Sequence, residues 1–153
     1  MNKLVIVSLS LALVTVLVRS YRLPNIFMFA EDQEDLSLRV KQIVIDRQLT
    51  LISAKFSTTR LYLPPGYLYF LAPFFIATDF HPNAAIIAIV FLSGLTSLFL
   101  FLAGQEIGGL KVGIIVWLLY TFWPIIHTWD RIFWNPNLIL PAVSLALLSL
   151  VKI

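Results

Sequence analysis

From Ala84 to Ala103 the chain runs for a full bilayer thickness without one charged residue, and about 20 apolar residues are what a membrane-crossing helix needs. In hydrocarbon every backbone N–H and C=O must find a partner inside the protein, which leaves helix as the form for such a segment. Three more apolar runs accompany it: Leu4–Val18, Val112–Thr128 and Leu138–Val151. Charged residues make up 12% of the chain, about half the roughly 25% usual in soluble domains. They gather between Arg19 and Arg60, around Gln105–Lys111 and at Asp130–Arg131. The expected fold is all-α: a polytopic membrane bundle forming one domain over 1–153, with spans at about 3–19, 84–103, 110–128 and 138–153.

The net charge of +3 does not point to nucleic acid, because Lys and Arg are scattered and form no run. The chain has no Cys, so a disulfide framework and a thiolate metal site are excluded. His81 and His127 lie far apart and lack metal-ligand spacing. The first apolar run is followed by Arg19-Ser20-Tyr21-Arg22 with no small-residue cleavage site, so it is expected to stay as a span.

Between the first two spans lies the one long polar stretch, a loop over about 20–83. Leu36, Val40, Ile43 and Val44 recur at helical spacing, which predicts an amphipathic helix over about 33–48 lying on the membrane surface. Its start is acidic (Glu31, Asp32, Glu34, Asp35) and Arg39, Lys41 and Arg47 follow, an order that suits the helix dipole, with Asp32 as expected N-cap. A second interfacial or re-entrant helix is expected over about 65–78, with a short span as the alternative, opened by Pro64-Pro65-Gly66 and interrupted at Pro73. Its Tyr67, Tyr69, Phe70 and Phe74 are aromatics favoured at headgroup level. In the next span, Gly94 with Ser93, Thr96 and Ser97 marks a face for close helix packing. Four crossings put the long loop and the Asp130 loop on one side, taken as extracytoplasmic with the N-terminus inside.

Two clusters can carry chemistry. The adjacent carboxylates Glu31 and Asp32 can raise one another's pKa and so serve as proton acceptor or cation ligand; an acid-capped helix start has the same residues. Asp130 and Arg131 sit together in the later loop, either as an ion pair fixing a short turn or as groups facing a partner. Arg60 and His81 flank the proline-opened helix and can hold an anion such as phosphate or simply anchor at the interface.

The order of these parts resembles the N-terminal portion of C-type-fold membrane glycosyltransferases. The protein mannosyltransferase-like, aminoarabinose transferase-like and rhizobial lipopolysaccharide glycosyltransferase-like branches are the nearest. The likeness is carried by a short first span, the Glu31-Asp32 pair opening an amphipathic helix, Pro64-Pro65-Gly66-Tyr67-Leu68-Tyr69, and Trp134-Asn135-Pro136-Asn137 after the third span. It spans nearly the whole chain but only about the first third of a typical member, so further spans are expected beyond Ile153.

The resemblance implies inverting sugar transfer from a polyprenyl-phosphate donor to an acceptor hydroxyl on the extracytoplasmic side. It assigns catalysis to Glu31 or Asp32, with Asp130 as the second-loop acid, and lipid-phosphate binding to Arg60, His81 and Arg131. The family reads Asp-Glu more often than the Glu-Asp found here. No cofactor is required by these residues, although a divalent metal cation at the carboxylates is compatible with the family. Membrane lipid is the other expected partner; the acceptor is unassigned. A small non-catalytic four-span protein (a transporter subunit, scaffold or lipid-carrier binder) is the alternative from another class.

Overall fold

The computed structural model describes residues 3–28, 30–53, 62–129, 132 and 134–153. The all-helical class holds. The elements are α1 Lys3–Ser20, α2 Leu23–Ile26, α3 Glu31–Val44, α4 Gly66–Ala77, α5 Asn83–Phe122, α6 Pro124–Trp129, a 3-10 turn at Asn135–Leu138, and α7 Ile139–Val151. Among the described residues no strand forms, and one isolated parallel bridge joins Met28 to Ile132. Two helices, α1 and α5, are long and apolar enough to cross a membrane.

The 40 residues of α5 would stretch about 60 Å if straight, twice the hydrocarbon thickness. Instead the helix is broken at Gly108 and Gly109, where Gly109 takes φ 75°, a conformation open to residues without a Cβ. The two arms fold back as a hairpin. Gly104 and Gly113 let them touch: a Cβ on Gly104 would lie 3.1 Å from the Gly113 Cα, and one on Gly113 would lie 2.9 Å from the Phe101 carbonyl oxygen. The small-residue face around Gly94 is likewise used, since a Cβ there would stand 2.9 Å from Val16 of α1.

α1 is inside-out compared with a helix of a soluble protein. Its buried residues are Ser8, Thr15 and Arg19, while Val5, Ile6, Leu9, Leu13 and Leu17 face outward. The inward polar row meets the second arm of α5. The Thr15 and Thr121 hydroxyls are 2.8 Å apart, and the Trp117 indole N–H donates to Thr15 Oγ1 at 2.9 Å and to the Leu11 carbonyl at 3.0 Å.

The expected third span over 110–128 is divided. Pro124 has no N–H and holds the residue before it out of the helical region; Trp123 is extended at ψ 118°, and the short α6 starts afresh. The helix within the expected fourth span, α7, has 13 residues, a reach of about 20 Å. By contrast, the expected break at Pro73 is absent. α4 runs through it, because Leu68, Leu71 and Phe75 are buried in a cluster that outweighs one lost backbone bond.

That cluster joins α3, α4 and the first turns of α5. Leu36 and Val40 of α3 pack with Tyr67, Leu68, Leu71 and Phe75 of α4 and with Ala84, Ala85, Ala88 and Ile89 of α5. The apolar stripe read as a lipid-facing surface is thus covered by protein. The N-cap is Ala30, not Asp32: Gln33 folds back so that its side-chain carbonyl accepts the Ala30 N–H at 3.0 Å, and Ala30 has no side-chain oxygen to answer with. Asp32 lies inside the first turn.

Candidate active site at one end of the bundle

Glu31 and Asp32 are the first two residues of α3, and both are exposed. With Gln33 satisfying the cap, neither carboxylate is spent on the helix start. Of the other acids on this turn, Asp35 accepts from Arg39 Nε at 2.8 Å, an i,i+4 pair on the outer face. Glu34 is exposed.

Three contacts draw the motif-bearing segments together. The acid-opened α3 lies on α4 through the cluster just described. From α4, the Tyr67 hydroxyl donates to Asn137 Oδ1 at 3.1 Å, and the same oxygen accepts the Trp134 N–H at 2.6 Å. The Pro-Pro-Gly-Tyr helix and the Trp-Asn-Pro-Asn turn are therefore tied to each other. Burial pushes the Tyr67 phenol well above its ordinary pKa, against a smaller lowering by the Trp134 backbone. Finally, Met28, just ahead of the acid pair, is bridged to Ile132, just after Asp130 and Arg131.

Asp130, Arg131 and Arg60 lie outside the described residues. His81 stands in the turn between α4 and α5, where its Nδ1 accepts the Asn83 N–H at 3.2 Å. That bond gives it a share in starting α5, and its side chain is exposed.

A cleft of about 490 Å³ lies between the α5 hairpin, α6 and α7, lined among others by Leu92, Thr96, Tyr120, Trp129, Trp134 and Leu140. Trp129 and Trp134 stack at its edge, with centroids 5.5 Å apart and planes within 9°. The lining is overwhelmingly apolar, with small hydroxyls and Asn137 as the polar points.

The sequence alone missed how this wall is held. Pro124 cannot donate to the Tyr120 carbonyl, its i−4 partner, so that oxygen is orphaned. Arg19 of α1, 3% exposed, fills the gap: its guanidinium donates to the Tyr120 carbonyl at 2.6 Å and lies 5.2 Å from the Tyr120 ring centroid. His127 serves the next carbonyl, Thr121, through Nε2 at 3.1 Å; the bond requires the proton on Nε2, since a carbonyl only accepts. The signal was Pro124 within an apolar run, with two basic side chains in reach of it only after folding.

The described donors do not compose a metal site. Neighbours on a helix do not face each other, so Glu31 and Asp32 diverge, and among the described residues no three His, Asp or Glu side chains converge. Comparison with family models, with curated proteins and with solved structures gave no match to this chain.

Proposed function

We propose that the chain is a membrane glycosyltransferase, or the N-terminal portion of one, moving a sugar from a polyprenyl-phosphate donor to an acceptor hydroxyl on the extracytoplasmic side. The observation that carries this reading is the Met28–Ile132 bridge, which joins the segment ahead of the paired acids to the segment after Asp130. A parallel bridge holds the two backbones roughly 5 Å apart at that point; that contact between the two segments supports the proposal that Glu31 or Asp32 and Asp130 serve one site. The Tyr67–Asn137 bond adds support, because it links the two other motifs on which the resemblance rests.

The inside-out α1 supports a lipid setting: apolar side chains outside and hydroxyls inside suit hydrocarbon and not water. The apolar cleft then suits the polyprenyl chain, and Arg60, Arg131 and His81 are the proposed partners of the phosphate. Glu31 or Asp32 takes the proton of the acceptor hydroxyl as its oxygen attacks the anomeric carbon. The bond from that carbon to the donor phosphate breaks, its electron pair leaving on the phosphate and the configuration inverting. No step is routed through a metal ion.

The test is sugar transfer from a polyprenyl-phosphate donor in membranes containing the protein, with expression checked in parallel. Glu31→Gln or Asp32→Asn, whichever removes the acting base, is expected to cost about 10²–10⁴-fold. Glu34→Gln and Asp35→Asn are expected to cost little, since an exposed helix-start charge is worth about 0.3–1 kcal/mol. Equal, mild losses at all four positions would make the cluster a helix start and no more.

A further inference from the structure

The loop after α3 carries an apolar tip. Leu49 and Leu51 are 81% and 88% exposed, more than any other large apolar side chain among the described residues except the terminal Ile153. They are presented on a pinned backbone. Between them, the Thr50 carbonyl accepts from the Tyr69 hydroxyl at 2.8 Å, and the Thr50 hydroxyl donates to the Ile52 carbonyl at 2.6 Å. Just beyond, Ser53 is buried and its N–H donates to the Leu63 carbonyl at 2.8 Å. With Thr50 and Ser53 fixed against the body, Leu49 and Leu51 are left on the outer side, and Ile45 and Ile52 beside them are exposed as well.

Position and charge identify what covers this tip. Tyr69 belongs to α4, and α4 packs on the first turns of α5 at Ala84, Ala85 and Ala88. The loop is therefore tied, through α4, to the part of the bundle where an apolar, membrane-length helix begins. Exposed Lys41 and Arg47 precede the tip in the chain, and leucines with cations just behind them match the acyl boundary and the phosphate layer of a leaflet. The stripe of α3 cannot serve as the anchor, because α4 already covers it.

We propose that the 45–52 loop inserts Leu49 and Leu51 into the adjacent leaflet, with Lys41 and Arg47 among the lipid phosphates. This rests on the bundle lying in a membrane and adds a peripheral anchor, which keeps the Glu31–Asp32 turn docked at the headgroup plane. The chain has no Cys, so single spin labels are unambiguous. The experiment places the full chain in nanodiscs of phosphatidylethanolamine and phosphatidylglycerol, labels Leu49→Cys, Leu51→Cys or Leu13→Cys, and compares relaxation by oxygen with relaxation by a water-soluble nickel chelate. Labels at 49 and 51 are expected to respond several-fold more to oxygen than to the chelate, as should the α1 control at 13. A lipid-like control with chelate-dominated labels at 49 and 51 would overturn the anchor alone. Shielding of 49 and 51 from both reagents would mean a protein contact and would also overturn it. A chelate-dominated control at 13 would overturn the membrane reading and the anchor with it.

Discussion

Arg19 shows how far a single residue's role can lie from its neighbours in sequence. It reads as a flanking cation at the end of an apolar run, yet it is buried on the carbonyl that Pro124 leaves open. No local pattern links residues 101 positions apart. Replacing Arg19 by Met keeps the apolar stem and deletes the donor, so the orphaned Tyr120 carbonyl should cost about 1–3 kcal/mol. Thermal unfolding in detergent would show the loss, with Arg19→Lys recovering part of it. Tyr67 offers a second test at this scale. Its phenol keeps its proton in the folded state at pH values where an unfolded tyrosine, with pKa about 10, has lost it. Unfolding therefore releases a proton, and stability should fall as pH rises above about 10. Tyr67→Phe should flatten that alkaline decline while losing about 1 kcal/mol at neutral pH with the bond to Asn137. An unchanged decline in Tyr67→Phe would assign it to another group.

Among the elements, helix existence was legible and partners were not. The spacing of Leu36, Val40, Ile43 and Val44 announces an amphipathic helix, but a stripe that suits lipid suits α4 equally, and α4 takes it. The start of α3 moved from Asp32 to Ala30 because Gln33 supplies the cap bond, a contest between polar side chains that composition does not decide. The expected spans at about 84–103 and 110–128 leave a gap that holds Gly108 and Gly109, the turn of the α5 hairpin; the contact of Gly104 with Gly113 needed the fold. Gly113→Ala would put a methyl 2.9 Å from the Phe101 carbonyl oxygen, and forcing the arms apart should cost about 1–3 kcal/mol. Gly66→Ala, with nothing within 4 Å of the added carbon, should change stability by less than about 0.5 kcal/mol. Denaturation of both variants side by side checks the hairpin. Equal stabilities would mean the arms are not in contact there.

For the whole molecule, apolar runs and charge gaps gave the helical class, and the order of motifs gave the candidate site. Span parity puts the two loops on one side but does not say which residues touch, since Met28 and Ile132 become neighbours only after the intervening helices have packed. The functional proposal stands on that meeting. It is tested most directly by oxidative cross-linking of the double variant Met28→Cys, Ile132→Cys in intact membrane vesicles. Bridged backbones lie within the roughly 4.4–6.8 Å that a disulfide spans, and the absence of native Cys leaves no competing thiol in the chain. A rapid intrachain cross-link is expected for this pair and none for Met28→Cys with Ile107→Cys, whose second residue lies at the opposite end of the bundle. Failure of the 28–132 pair to link while both thiols react with a maleimide would separate the acid pair from the Asp130 loop and contradict a shared site.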